Sequence, residues 1–244
     1  MKNMWKELWD KRTAELEKVL SGDDEQVFLE LKRSNGFDVF DGKMNYSSFV
    51  FQLDLLEKEL SFPNRELKSI YEVGCGSGAN LYWFAHKIGG ENCGGCDYSS
   101  GLINSAKAVL EPMKCPEIIC CEAKEMDVER KYDAVFSNSV FSYFENLEYA
   151  KKVLELMLEK SNYSLGLLDI HDSEKKDDYI QYRKKNIEDY EKRYENLPKL
   201  FYQKSFFVDF AQEHNLDIKI SASHVPGYWN NEFIFNVFLW KSEE

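Results

Sequence analysis

Apolar residues recur at helical spacing through the first sixty positions, and the rhythm then changes. Trp5, Leu8, Trp9, Leu16, Val19 and Leu20 predict one amphipathic helix, Val27, Phe28 and Leu31 a second, and Tyr46, Phe49, Val50, Leu53, Leu56 and Leu60 a third. Ser21-Gly22, Asn35-Gly36 and Phe62-Pro63-Asn64 supply the breaks, because these residues accept turn geometry or cannot extend a helix. The pattern predicts a helical cap over residues 1–64.

From Lys68 onward short apolar runs alternate with helical stretches: SIYEVG then ANLYWFAHK, NCGGCDY then GLINSAKAVL, EIICCEA, YDAVFSN then LEYAKKVLELMLEK, and YSLGLLDI. Such alternation builds a parallel sheet with helices on both faces. LDIKISAS and FIFNVFLWK follow with only the Pro226-Gly227 turn region between them, which predicts an antiparallel pair. A charged helical stretch from Ser173 to about Asn196 reads as an insertion after the fifth strand, and KSFFVDFAQEHN as the last helix. The expectation is one α/β domain over 1–244, with a doubly wound, mostly parallel seven-stranded sheet whose last strand is antiparallel. Residues 65–172 would form the core, 173–200 the helical insertion, and 201–244 the closing helix and strand pair.

Composition narrows the class. Hydrophobic residues at 43% and charged residues at 30% match ordinary globular usage, and no stretch approaches the roughly 20 apolar residues of a membrane span. Charges interrupt MKNMWKELWDKR every few residues, so it lacks a secretory apolar core, and a soluble, cytoplasmic protein without a membrane partner is expected. A net charge of −12 argues against a nucleic-acid partner and for a small-molecule substrate. Cys93 and Cys96 form a C-x-x-C, but no second C-x-x-C or H-x-x-H complements it, so no metal is expected. Nothing in the pattern sets an oligomeric state.

The strongest chemical signal is SIYEV running into GCGSG and then a helix, which brings backbone amides and a positive helix end against a ligand. Gly74, Gly76 and Gly78 permit the tight turn, but Gly74, Gly76 and Ala79 also satisfy G-x-G-x-x-G/A, so the loop alone leaves dinucleotide binding open. Its neighbours are more specific. Glu72 precedes the first glycine by two, and Asp97 follows Gly78 by nineteen at the end of the second strand, where a carboxylate can accept both ribose hydroxyls.

These residues resemble the class I S-adenosylmethionine-dependent methyltransferase family, whose first motif reads roughly (D/E)-x-G-x-G-x-G, as Glu72 to Gly78 does. The resemblance extends to CCEA at Cys120–Ala123, to YDAVFSNSVFSYF at Tyr132–Phe144 and to the reversed last strand. It implies that Glu72 orients the cofactor's amino group, that Gly74, Gly76 and Gly78 line its methionine and ribose, and that Asp97 binds the ribose. Tyr98 would cover an adenine face, Glu122 and Ala123 would meet the adenine edge, and Ser137 and Asn138 would flank the methionine part. The family's usual third-strand acid is Asp, so Cys121-Glu122 leaves that register open by one residue. Tyr46, after Gly42-Lys43-Met44, is placed where the cap closes over the cofactor, together with Trp5 and Trp9.

For the acceptor, His171 after the fifth strand is the candidate base, with Asp169 or Asp172 to orient its ring. The plain alternative is a loop residue beside a helix cap at Asp172 or Ser173. Arg183, with Tyr182 and Tyr202, is the candidate grip on an anionic substrate; Lys204 and the turn HVPGYWNNE, with His224, Tyr228, Asn230, Asn231 and Glu232, are weaker candidates. The whole-chain pattern is similar to small-molecule methyltransferases of bacterial natural-product and surface-polysaccharide (capsule) pathways. It implies O-methylation of a small anionic acceptor, phosphate- or phosphoramidate-bearing or sugar-linked. N-methylation of a small amine, an NAD-dependent oxidoreductase and a noncatalytic S-adenosylmethionine-binding regulator stand as alternatives.

Overall fold

The structure, a computed structural model, describes residues 4–37 and 43–242; Gly42, invoked above with Tyr46, lies outside them. Four helices open the chain: α1 (Met4–Trp9), α2 (Leu16–Ser21), α3 (Asp24–Ser34) and α4 (Tyr46–Leu60). Then come β1 (Ile70–Val73), α5 (Ala79–Ile88), β2 (Cys93–Asp97), α6 (Ser100–Leu110), β3 (Glu117–Cys120), β4 (Tyr132–Asn138), α7 (Leu147–Lys160) and β5 (Ser161–His171). The insertion holds α8 (Lys176–Asn186) and α9 (Tyr190–Tyr194), and α10 (Lys204–Glu213), β6 (Leu216–Ala222) and β7 (Ile234–Lys241) close the chain.

The seven strands form one sheet in the order β3-β2-β1-β4-β5-β7-β6, and β7 runs antiparallel to both neighbours, as the pattern predicts. The order reverses between β1 and β4, so a crevice opens beyond their carboxyl ends, where such sheets bind ligands. Both faces are covered. One apolar cluster joins α3, α4, α5 and α6 through Phe28, Phe49, Phe84 and Leu110; the other joins α7 and α10 through Leu154, Met157 and Phe207. Gly166 lets α4 lie directly on β5, since a Cβ there would stand 2.8 Å from Leu56 Cδ1. Among the described residues no helix is long and apolar enough to cross a membrane.

Three elements differ from the pattern, each for a local reason. The first predicted helix is two, α1 and α2, because the backbone between them bonds to side chains elsewhere: Ala14 N donates to Ser105 Oγ at 3.0 Å and Glu15 N to Glu30 Oε1 at 2.7 Å. Third-strand pairing stops at Cys120, after which Cys121 N donates to Asp97 O and the chain turns. The charged insertion breaks between α8 and α9, where Asp189 takes a left-handed φ of 53°. Cys93 and Cys96 stand three apart on a strand and belong to opposite apolar clusters, so the C-x-x-C cannot converge on one ion.

Candidate functional site

A large cavity of about 690 Å³ lies beyond the carboxyl ends of β1, β4 and β5, within the roughly 300–1,000 Å³ of ligand pockets. One end is the glycine loop. Gly74 and Gly76 have φ of 77° and 54°, and a Cβ would stand 2.3 Å from Val140 Cγ2 at the first and 2.3 Å from Asn35 Oδ1 at the second. Glycine is therefore required at both on two counts. Gly78 (φ 81°) instead caps α5 behind the cavity wall, so its expected contact with the cofactor is corrected to helix entry.

Asp97 sits at the end of β2 with each oxygen held by one backbone amide: Gly76 N on Oδ2 at 2.9 Å and Ser99 N on Oδ1 at 2.8 Å. Each oxygen keeps a lone pair for a ligand. Burial pushes this carboxyl up to about 6, against those two bonds. Glu72, 2% exposed, accepts from Asn80 Nδ2 at 2.6 Å, and Asn80 Oδ1 in turn accepts from Lys32 Nζ at 2.7 Å. Burial raises the Glu72 carboxyl and lowers the Lys32 ammonium, while their mutual attraction opposes both. Asn35, at the end of α3, takes Ser77 N on Oδ1 at 2.7 Å and thus ties the cap to the loop.

Tyr98, Cys121, Glu122, Ala123 and Asn138 all border the cavity, so both residues of the uncertain third-strand register reach it. The Glu122 carboxylate is already engaged by Lys6 Nζ at 3.3 Å and Tyr149 OH at 3.1 Å. Ser137 does not border the cavity: strand alternation turns it inward, where Oγ donates to Val73 O at 2.8 Å. Tyr46 is likewise corrected, because it packs edge-on against Phe28 with ring centroids 5.4 Å apart, away from the cavity. Trp5 and Trp9 do reach the wall, against Tyr143.

The other end is aromatic and cationic. His171, 3% exposed, packs against Tyr179 and Phe201 with centroids 4.8 and 5.2 Å away, and its Nε2 lies 3.4 Å from Asn230 Nδ2. Neither flanking acid orients it, contrary to expectation: Asp172 takes Glu174 N and Lys204 Nζ, and Asp169 faces Ser139 and Tyr228. Burial, reinforced by Lys199 and Arg183, holds the imidazole well below its usual range and therefore neutral. Arg183 projects from α8 among rings, its Cζ 5.0 Å from the Tyr194 centroid and 5.3 Å from Trp229, on which Tyr182 stacks at 2°. Tyr202 is the remaining correction. It is fully buried, its OH donates to Phe141 O at 2.8 Å, and it does not border the cavity, because the segment before α10 pairs as a bridge beside Asp172.

Lys199 was missed by sequence reasoning. Its Nζ lies 4.4 Å over the Tyr143 ring and 3.5 Å from Tyr143 OH, and burial with the nearby Arg183 pushes the ammonium down to about 7. The apolar frame Leu197-Pro198-Lys199-Leu200-Phe201 was its only local signal. Among the described residues no carboxylate lies within ion-pair distance of Arg183 or Lys199. Unpartnered buried atoms cluster around this cavity: Glu72 Oε2, Tyr98 OH and Asn138 Oδ1 toward the loop, and His171 Nδ1, Arg183 Nε and Asn230 Oδ1 at the far end. Unpaired buried polar atoms are costly unless a ligand or water satisfies them.

Residues 70–159 match the family model described as a methyltransferase domain. Malonyl-[acyl-carrier protein] O-methyltransferase of Priestia megaterium is 32% identical over 99 residues, a match that takes in 41% of this chain and 35% of that relative. The chain thus spans about a third of the length of this curated relative. Two solved structures share the fold at low identity. The plantazolicin methyltransferase in complex with SAH superposes with a TM-score of 0.61 at 16% identity, covering 99% of this chain and 98% of that one. The magnesium protoporphyrin IX methyltransferase of Synechocystis with bound SAH gives 0.59 at 14%, covering 90% and 100%.

Proposed function

Because residues 70–159 match a methyltransferase domain and the sheet has a Rossmann-like strand order, we propose that this chain transfers the methyl group of S-adenosylmethionine to a hydroxyl of a small, anionic metabolite. The observation that carries the acceptor class is the pair Arg183 and Lys199, two cations facing one half-enclosed aromatic chamber with no carboxylate in ion-pair range among the described residues. Like charges held close in a water-poor site repel, so an anionic ligand there is favoured over a neutral one. A phosphate- or carboxylate-bearing acceptor, including a sugar phosphate of a capsule or natural-product pathway, fits that chemistry, and Arg183 offers it a planar fork.

The loop end fits the cofactor. Glu72 keeps a buried Oε2 without a partner, Asp97 keeps a lone pair on each oxygen, and Gly74 and Gly76 border the cavity with bare backbone, where a Cβ would collide with Val140 or Asn35. Asp97 would hold the ribose hydroxyls, Glu72 and the Gly74–Gly76 backbone the methionine part, and Tyr98, Glu122 and Ala123 the adenine. When bound, S-adenosylmethionine supplies an electrophilic methyl on a sulfonium. The chain's own work is alignment and water exclusion, the main sources of acceleration in a displacement of this kind. Arg183, Lys199 and Tyr182 would seat the acceptor, with the neutral His171 imidazole and Asn230 offering hydrogen bonds to it.

Calorimetry with S-adenosylhomocysteine and NAD, followed by release of S-adenosylhomocysteine from a panel of phosphorylated sugars, hydroxybenzoates and nucleotides, tests this reading. Micromolar binding of S-adenosylhomocysteine and turnover confined to acids is expected. Binding of NAD alone, or turnover only on neutral or cationic amines, would overturn it, and tight binding with no turnover would mark a regulator instead.

A further inference from the structure

Two residues other than glycine take left-handed backbone side by side at the mouth of the sheet: Ser139, just past β4, with φ 60°, and Asp169, near the end of β5, with φ 61°. Such conformations cost free energy that the surroundings must offset, and they gather at functional sites. Here the backbone irregularity falls at the register shift between Leu167 and Ile170, and Asp169 there borders the cavity while Leu167 and Ile170 stay in the apolar cluster. Ser139 N donates to Leu168 O at 3.0 Å, and Asp169 N to Asn236 Oδ1 at 3.2 Å, which fixes both turns.

The carboxylate is held asymmetrically. Ser139 Oγ donates to Oδ2 at 2.5 Å and Tyr228 OH to the same oxygen at 2.9 Å. Oδ1 has one protein partner among the described residues, Gln52 Nε2 at a long 3.4 Å, and Gln52 Oε1 is itself occupied by Asn138 Nδ2 at 3.2 Å. One oxygen is anchored and the other is spare, within a cavity that also holds the glycine loop and the cationic chamber. The charged and titratable groups facing it are Lys32 from α3, Tyr143 from the turn after β4, Lys199 from the segment before α10, and Tyr228 from the β6–β7 turn. His171, by contrast, turns toward Tyr179 and Phe201, and burial among cations makes it a weak base.

We propose that Asp169 is the catalytic proton acceptor of the methyl transfer, with Ser139 and Tyr228 as positioning residues that present its free oxygen to the acceptor hydroxyl. The inference rests on the function proposed above. The acceptor oxygen's lone pair forms the new O–C bond, the C–S bond breaks with its electron pair kept by sulfur, and the hydroxyl proton passes to Asp169 Oδ1. The products are a methyl ether, the thioether S-adenosylhomocysteine and a protonated Asp169, which returns its proton to solvent after release.

Asp169→Asn keeps the shape and the Ser139 and Tyr228 contacts but cannot take a proton. It should lower kcat by roughly 100- to 10,000-fold, the usual range for a lost general base, with S-adenosylhomocysteine affinity within about threefold of wild type. With S-adenosylmethionine saturating at every pH, so that Asp97 does not limit, kcat/KM for the acceptor should rise with pH through the Asp169 titration, and this acidic limb should vanish in Asp169→Asn. Tyr228→Phe removes a donor that favours the charged carboxylate, so it should move that limb to higher pH, which a merely structural role would not do. An Asn variant that retains kcat within threefold, or a limb unmoved in Tyr228→Phe, overturns the proposal. If wild type methylates nothing in the panel, the functional reading fails by itself. Carbon-13 NMR of the aspartate carboxyls in the S-adenosylhomocysteine complex then decides on Asp169: a resonance titrating above the ordinary aspartate range and shifting in Tyr228→Phe supports it, and ordinary, unshifted titration refutes it.

Discussion

The two ends of the cavity treat charge in opposite ways. At the glycine loop the carboxylates of Asp97 and Glu72 are each anchored by neutral donors, two backbone amides for one and Asn80 for the other. At the far end Arg183 and Lys199 stand among aromatic rings without an acidic partner in range among the described residues. A fixed, always identical ligand can be met by groups whose geometry is settled in advance, since preorganisation lowers the cost of binding. Cations with no carboxylate in direct contact, Lys199 being attracted by Asp169 only from beyond ion-pair distance, instead favour a ligand that carries its own counter-charge. That difference is what the proposed function draws on in placing the cofactor at the first end and the acceptor at the second.

The largest expected effect breaks the first end. Asp97→Ala removes the acceptor for Gly76 N and Ser99 N and for the ribose hydroxyls, each charge-assisted bond being worth roughly 1.5–3 kcal/mol, so S-adenosylhomocysteine affinity should fall by at least a hundredfold in calorimetry. Its pH dependence sharpens the point. Burial pushes this carboxyl from 3.8 to about 6, so between those values the folded state binds a proton that the unfolded state does not. Asp97 itself should therefore contribute stability that grows as pH falls through 6, opposite in sign to the contribution of the buried, neutral His171, while cofactor binding, which needs the carboxylate, weakens over the same interval. The rise in melting temperature given by S-adenosylhomocysteine should therefore shrink as pH falls through that window, and a constant rise would refute the role of Asp97.

Next in size are Arg183→Gln and Lys199→Gln. Each removes one charged hydrogen-bond partner of an anion, so KM for an acidic acceptor should rise roughly 10- to 100-fold with cofactor affinity unchanged. Each should also stabilise the acceptor-free protein slightly, because Lys199→Gln relieves the burial of a charged Lys199 and Arg183→Gln the smaller repulsion that, with burial, lowers that ammonium to about 7. Equal losses for acidic and neutral acceptors would make these residues packing elements and erase the contrast between the two ends.

That contrast also explains what was legible in the chain. The loop end is written in consecutive residues: β1, Gly74, Gly76 and the start of α5 lie within ten positions of Glu72, and Asp97 ends the very next strand, so strand-turn-helix chemistry suffices to read it. The same local logic failed where alternation or a distant contact decides the side chain's direction. Ser137 turns to Val73 O, Tyr46 turns to Phe28, and Tyr202 is pulled under Phe141 by pairing beside Asp172. The acceptor end joins β4, β5, α8, the segment before α10 and the β6–β7 turn, so Lys199 and Asp169 show no motif. Lys32 reads as a solvent-facing lysine in a charged helix, yet it is buried 5.4, 5.1 and 4.7 Å from the rings of Phe28, Phe37 and Phe49. Its position one turn beyond Phe28, next to Leu31, was the available hint.

The smallest expected effect sits just outside the cavity and tests where its boundary lies. Tyr202 carries the aromatic ring and hydroxyl of a plausible substrate contact, but its OH is satisfied by Phe141 O at 2.8 Å and its ring packs on Phe141, Phe206 and Phe207. Tyr202→Phe keeps that packing and removes one buried hydrogen bond, leaving the Phe141 carbonyl short of a donor. Stability should fall by about 1 kcal/mol, read as a lower denaturation midpoint at unchanged slope, with KM for acceptor and cofactor both preserved. A rise in acceptor KM without loss of stability would move the wall of the acceptor chamber outward to include Tyr202. Arg183 and Lys199 would then be part of a larger grip reaching behind β5.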